Sequence, residues 1–271
     1  MPELPEIATL AAQLEEELCG HRLRDVEMES EKPLNVPPRR LRRLVSGVEI
    51  AGFRSRGKWI LAQLDGEWEL ALNLGMGAEI RLSQYAEEAR ERYRLRLLMD
   101  GGKDLLVRFW WFGHLHVLDH GDVDHPVRQL GPDALSPDLD FEVFCDLLDG
   151  RRGGIKSFLL NQRRIAGIGN FYAHDILARA GVHPLRKIPT LSHSEREGVY
   201  TSMRELLRES LNKGGADYER DIYGRPGGFS RERFWVGYRE GEPCRRCGTT
   251  VQKIRTGSTP GYICPTCQPI D

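Results

Sequence analysis

Apolar residues recur at Ile7, Leu10, Leu14 and Leu18, the spacing of one face of a helix, so the chain predicts a helix over residues 5–18 that Gly20 closes. From about residue 21 to 118 the period shortens to alternating runs at 22–28, 48–53, 59–64, 69–74, 93–99, 105–109 and 115–118. Gly52, Gly57, Gly66 and the pair Gly101-Gly102 separate or bend them. Seven short strands at this spacing predict an antiparallel sandwich or barrel. Near residue 119 the texture changes: 120–126 and 131–133 are loop-like, and after Pro137 helical periodicity returns at about 141–149, 156–161, 170–180 and 192–212. Residues 213–232, rich in glycine, read as a long mobile loop, and loops of that length are usually functional. The fold class expected is α+β, with a β-domain over 1–120, a linker at 121–136, a helical domain over 137–232 and a tail from 233 to 271.

Length and composition narrow the class without deciding the function. A chain of 271 residues, 40% hydrophobic and 29% charged, is long enough for two domains with real cores. No run of about 18 apolar residues suggests a membrane span. The start, Met-Pro-Glu, lacks the basic and then apolar stretch of a secretory signal, so a cytoplasmic location is expected. The net charge of −1 announces no nucleic acid, although basic residues cluster at 39–43, 90–96, 151–152, 163–164 and 245–246. Each cluster reads equally simply as a solvated face.

The tail carries a sharper signal. Cys244 and Cys247, then Cys264 and Cys267, form two C-x2-C pairs sixteen residues apart, the pattern of a four-cysteine zinc ribbon holding one structural Zn2+. Two disulfides are the alternative, and the cytoplasmic expectation weighs against them. Forty residues make too small a core to fold alone, so the metal would supply the tail's stability. Cys19 and Cys145 lie among apolar positions and read as small core residues.

Two further stretches can carry chemistry. In 162–170, Q-R-R-I-A-G-I-G-N, a glycine-bracketed turn feeds a helix. It would offer backbone N–H groups and the Asn170 amide to a phosphate, or serve as a tight turn with Asn170 as a plain cap. The first six residues, M-P-E-L-P-E, place Glu3 and Glu6 beside Pro2. Removal of Met1 would make Pro2 a free secondary amine with a pKa of roughly 8, nucleophilic near neutrality. A bland reading stands beside this, in which the two acids simply complement a helix dipole.

These motifs, taken in order with R-G-K-W at 56–59, L-N-L-G-M at 72–76, F-G at 112–113, G-P-D at 131–133 and I-K-S-F-L-L-N-Q-R-R-I-A-G-I-G-N-F-Y-A at 155–173, resemble the formamidopyrimidine-DNA glycosylase and endonuclease VIII family over almost the whole chain. The start M-P-E-L-P-E lies closer to the formamidopyrimidine branch. The resemblance implies an N-terminal β-sandwich with a leading helix, a helix-two-turn-helix domain and a zinc finger. It further implies a bifunctional DNA glycosylase and AP lyase of base-excision repair, working on damaged double-stranded DNA as a monomer with no membrane. On the same ground Pro2 would be the Schiff-base nucleophile, Glu3 the proton donor and acceptor, and Glu6 its support. Lys58 would bind the flanking phosphate, Lys156 and Asn170 further phosphates, and Met76 would fill the space left by the everted nucleotide, a step whose unstacking cost needs such compensation.

Three positions depart from the family pattern. Trp110 stands where a wedge arginine is expected beside Phe112, Asn73 replaces a histidine, and Thr259 replaces the arginine of the zinc-hairpin tip. All belong to the DNA-facing set. They suggest a divergent branch with altered substrate preference, in which Trp110 stacks on a base or else packs in the sandwich core. A catalytically weak damaged-DNA-binding protein of the same fold is the alternative, and a zinc-ribbon adaptor without catalysis is a more distant third.

Overall fold

The periodicities turn into two compact units in the computed structural model, which describes residues 1–86, 93–119, 121–257 and 259–270. Arg90 of the basic run 90–96 and His120 lie outside the described residues. One unit is Met1–Gln129 with Lys213–Gly228, the other Leu130–Asn212 with Phe229–Asp271.

In the first unit α1 (Leu4–Leu18) starts with Pro5 in its first turn, where the missing N–H has no partner to lose, and buries Ile7, Leu10, Ala11, Leu14 and Leu18 along one stripe. The strands that follow are β1 (Arg22–Met28), β2 (Val48–Arg56), β3 (Trp59–Leu64), β4 (Glu69–Asn73), β5 (Glu79–Leu82), β6 (Leu95–Met99), β7 (Leu105–Arg108) and β8 (His114–Leu118). They pair antiparallel in the order β5-β7-β6-β1-β2-β3-β4-β8. The β1–β2 junction is only two pairs long, Arg22↔Glu49 and Leu23↔Val48, so the sheet divides there into two four-stranded halves. Residues of both halves and of α1 share one core, the sandwich arrangement expected. Each fully buried aliphatic chain in it contributes roughly 1.5–3 kcal/mol.

Two elements escaped the sequence reading. Strand β5 is four residues long and carries Arg81, whose guanidinium is buried while Nη1 donates to the Ile80 and Asp221 carbonyls, so the charge hides the alternation. A second helix, α2 (Pro38–Val45), turns the basic cluster at 39–43 outward around two buried residues, Leu41 and Val45. Residues 213–228 also differ from the expected mobile loop of the helical domain. They fold with the first unit: Ile222 enters its core, its carbonyl accepts from Leu82 N at the β5 edge, and Gln13 Nε2 donates to Asp221 Oδ2. Cys19 is exposed rather than core, its thiol turned to the Ala51 carbonyl.

In the second unit the helices are α3 (Phe141–Leu148), α4 (Ile155–Leu160), α5 (Asn170–Arg179) and α6 (His193–Leu211), and the hairpin β9 (Gln252–Thr256) and β10 (Thr259–Ile263) follows. Ser192 and Glu195 close a capping box at the start of α6. The G-P-D motif acquires a physical reason here: Gly131 N donates to Gln162 O and Ala166 N to Pro132 O, and a Cβ at Gly131 would lie 2.3 Å from the Arg164 carbonyl oxygen. Helix α5 is buried almost all round, from Tyr172 to Ala178. Its Asp175 carboxylate accepts from three consecutive amides, Trp235, Val236 and Gly237, at 2.5, 3.0 and 2.8 Å. Burial pushes this carboxyl up while the three N–H groups pull it down.

Asp175→Ala would leave three backbone donors, two of them buried, without their acceptor, each buried one worth about 1–3 kcal/mol. We expect chemical denaturation to show a loss of roughly 3 kcal/mol or more, with Asp175→Asn intermediate; an unchanged midpoint would mean that water replaces the carboxylate.

Candidate active site and metal centre

The N-terminal hexapeptide lies inside the first unit. Pro2, Glu3 and Glu6 are all buried, Glu3 and Glu6 at 3% exposure, an unusual place for carboxylates unless they are held. Glu6 is held from two sides. Its Oε2 accepts from Glu3 N at 2.8 Å within the first turn of α1, and its Oε1 accepts from Ala216 N at 2.9 Å, 210 residues away. Gly215 permits that approach: its φ is +89°, and a Cβ there would come within 2.8 Å of Glu6 Cγ. The same segment brings Glu219 to the N-terminus, with Oε1 3.6 Å from the Met1 amine. Burial pushes the Glu219 carboxyl up, the amine draws it down, and Glu3 adds to the rise. Pro2, Glu6, Leu74 and Glu219 line one small cavity. A carboxyl group held beside the amine is a group that can accept or return a proton at a reacting centre. Glu219 gave no signal in the sequence, where it sits in the charged run D-Y-E-R-D; Gly214-Gly215 were the only hint of a close approach.

Lys58 sits with Gly57 in the two-residue turn joining β2 to β3, where Gly57 takes φ +56°. Asn73, at the end of β4, donates from Nδ2 to the Lys58 carbonyl at 3.0 Å and accepts from Gly75 N at 3.0 Å. One amide thus fixes the Lys58 turn and the turn that carries Met76. Met76 in turn bonds across to Trp111, N to O at 2.8 Å and O from N at 3.2 Å. The approach is so close that a Cβ at Gly75, itself at φ +63°, would meet the Trp111 oxygen at 2.0 Å. The result is a paired-loop platform presenting Met76 with Trp110, Trp111 and Phe112, exposed at 41%, 69%, 58% and 66%. Trp110 is therefore not core packing. Phe112 holds φ +58°, a conformation costing a non-glycine residue about 1–3 kcal/mol, which the platform imposes. Trp111 was not singled out by the sequence reading; its exposed ring stands nearly at right angles to Phe112, 5.9 Å centroid to centroid.

In the second unit the geometry departs from expectation at Lys156. This lysine is 2% exposed, and Nζ donates to Thr256 Oγ1, Thr259 Oγ1 and Pro260 O at 2.8, 3.3 and 2.6 Å. Three donors meet three acceptors on the β9–β10 hairpin, so the ammonium is a clamp on the hairpin rather than a presented phosphate ligand. Burial lowers its pKa to about 8. Thr259, which stands in the arginine's place, is one of the clamped groups. Asn170 opens α5 after Gly169, and its buried Oδ1 has no hydrogen-bond partner among the described residues. The turn before it is sewn by Gln162, which accepts from Gly167 N and donates to Leu160 O and Ile168 O.

The four cysteines of the tail converge. Their Sγ atoms all lie within 4.8 Å of one another, with Cys247 at 3.4 Å from both Cys264 and Cys267, and all six cysteines of the chain are free thiols, not disulfides. Four thiolates on zinc at about 2.3 Å stand about 3.8 Å apart, so the set fits one tetrahedral zinc. Each pair sits in a tight turn, Gly248 N donating to Cys244 O and Gln268 N to Cys264 O, and Cys267 N points at Cys264 Sγ. Such N–H donation orients a thiolate.

Three family models match in succession: the formamidopyrimidine-DNA glycosylase N-terminal domain over residues 1–110, the formamidopyrimidine-DNA glycosylase H2TH domain over 130–220, and the zinc finger found in Fpg and isoleucyl-tRNA synthetase over 241–270. The formamidopyrimidine-DNA glycosylase of Roseiflexus is 36% identical, covering 99% of this chain and 100% of that one, and that of Chloroflexus aurantiacus is 34% identical over 99% and 98%. Among solved structures, the MutM (Fpg) protein of Thermus thermophilus matches with a TM-score of 0.89 at 33% identity over the full length of both chains. The Lactococcus lactis Fpg in complex with abasic-site DNA matches with a TM-score of 0.89 at 26% identity, covering 99% of this chain and all of that one.

Elemental analysis of the purified chain should give one zinc per molecule, and Cys247→Ser should lose it. Because Lys156 is tied to the hairpin beside that site, Lys156→Met should also loosen the tail, read as faster zinc transfer to a chromophoric chelator at equal pH. Zinc-free protein with an intact hairpin would contradict the assignment.

Proposed function

The chain belongs to the formamidopyrimidine-DNA glycosylase family, and on that premise we propose that it is a base-excision repair enzyme, a bifunctional DNA glycosylase and AP lyase, acting as a cytoplasmic monomer on damaged duplex DNA. The reading rests above all on the burial of Pro2, Glu3 and Glu6 around one held carboxylate, since an N-terminal proline with no chemistry to do has no reason to be enclosed by acids.

In this reading Met1 is removed and the Pro2 nitrogen attacks C1′ of the damaged nucleotide. The bond from C1′ to the base breaks, and the base leaves with a proton. Glu3 protonates the sugar ring oxygen, the ring opens, and the C1′–N bond becomes an iminium. That cation acidifies the C2′ protons. Glu3, now a carboxylate, takes one of them, and the electron pair expels the 3′ phosphate. Hydrolysis of the remaining iminium returns the Pro2 amine. Glu6 keeps Glu3 and the 213–228 segment in register, Lys58 neutralises the flanking phosphate, and Met76 occupies the space the everted nucleotide leaves. General acid–base catalysis of this kind contributes typically 10²–10⁴-fold. Zinc takes no step in the reaction and stabilises the tail.

The weak DNA-binder alternative draws on Trp110 and Thr259 standing where arginines are expected. The retained set of Pro2, Glu3, Glu6 and Lys58 speaks for turnover, and a single assay separates the two. Incubated with a duplex bearing a natural abasic site and borohydride, the wild-type chain should form a covalent adduct; Pro2→Gly should lower its yield about 100-fold, and Glu3→Gln should stop base release while leaving DNA affinity within a few-fold. A wild-type protein that binds abasic DNA yet traps nothing would favour the binder.

A further inference from the structure

The aromatic platform borders a cavity that the proposed reaction does not use. It has a volume of about 300 Å³, within the range of small-ligand sites. Trp110, Phe112, Met28 and Phe109 line it together with the cations Lys32 and Arg94. Lys32 and Arg94 are exposed; Arg94 also faces Glu29 at 3.6 Å, an exposed pair of little strength. Large rings left this exposed mark a binding surface rather than a packing remnant. Flat aromatic walls with cations at their side are the chemistry that holds a nucleotide: a ring stacks on the base and the cations meet its phosphate.

Eversion of the damaged nucleotide leaves one base without a partner, the one opposite. We propose that this unpaired base leaves the stack and enters the cavity, lying on Trp110 with Lys32 and Arg94 taking its phosphate. The proposal rests on the glycosylase reading above. The mount suits the task, because Trp110 is carried on a loop bonded to the Met76 turn and Gly77 packs 3.5 Å, at a notional Cβ, from Trp110 Cβ. Met76 and Trp110 therefore sit on two turns bonded to each other through Trp111, so that what fills the gap on one strand is tied to the receiver for the other. Stacking accepts any base, so the pocket removes selection by the base opposite. That selection would depend on hydrogen bonds an arginine could make and a tryptophan cannot.

A thermodynamic cycle tests this with the full-length chain and duplexes carrying a tetrahydrofuran abasic analogue. Binding is read by anisotropy with each of the four bases, or no base, opposite the analogue. For wild type we expect four similar affinities and a roughly 5- to 100-fold loss when the opposite base is absent. Trp110→Ala should bind the four duplexes weakly and lose nothing further on the baseless one, and Trp110→Phe should restore part of the difference. Ser30→Trp, which blocks the cavity while leaving the platform in place, should abolish the base dependence as Trp110→Ala does. Lys32→Ala should reduce it. If Ser30→Trp keeps the full base dependence, Trp110 stacks within the helix and the pocket proposal falls. It falls equally if the loss on removing the base is the same in wild type and Trp110→Ala. Borohydride trapping on natural abasic sites, run in parallel, keeps the questions apart: trapping with an additive cycle refutes only the pocket, whereas no trapping refutes the glycosylase reading beneath it.

Discussion

Everything proposed for the N-terminus depends on the Glu6 carboxylate. A buried carboxylate left unpaired would either take up a proton or cost several kcal/mol. This one accepts an N–H from its own helix start and another from Ala216, and so converts the cost into a constraint. The constraint fixes three things together: the entry of α1, the path of the chain through Gly214-Gly215, and the placing of Glu219 beside the amine. The bland view of Glu6 as a first-turn helix acid and the proposal that it supports the site are then compatible, since the carboxylate that caps the helix start also holds Ala216.

A second constraint repeats the design at the aromatic platform. Asn73 ties the Lys58 turn to the Met76 turn, and Met76 is tied to Trp111. The Lys58 turn, the Met76 turn and the aromatic surface are joined through short hydrogen bonds to the main chain, which hold side-chain positions more firmly than long flexible chains could. In the second unit Lys156 anchors the hairpin of the metal centre, so the tail's order rests on zinc and on one buried ammonium.

Much of this was legible in the sequence. Short apolar runs bounded by turn residues gave seven of the eight strands of the large sheet, whether they alternate as β6 does or are buried on both faces as β3 and β4 are; β5 was missed because a four-residue strand with a buried arginine has no readable alternation. The four cysteines announced their metal through spacing alone. The hexapeptide offered a candidate nucleophile and its acids because the proposed chemistry is local in sequence. Long-range pairings were not legible. Nothing in 213–228 says that its amide will meet Glu6, nor does Lys156 reveal that its three donors will be consumed a hundred residues on, because such contacts depend on where the backbone travels rather than on any local pattern. Cys19 failed for a simpler reason: an apolar neighbourhood in sequence does not fix which way a residue after a helix end points.

The central claim is that the enclosed Pro2 nitrogen is the reacting atom. It is tested most directly by digesting a borohydride-reduced complex with abasic DNA and sequencing the modified peptide by mass spectrometry. The account predicts a peptide that begins at Pro2, lacks Met1 and carries the sugar remnant on the proline nitrogen. A remnant on Lys58 or any other lysine, with an unmodified N-terminal peptide, would contradict it.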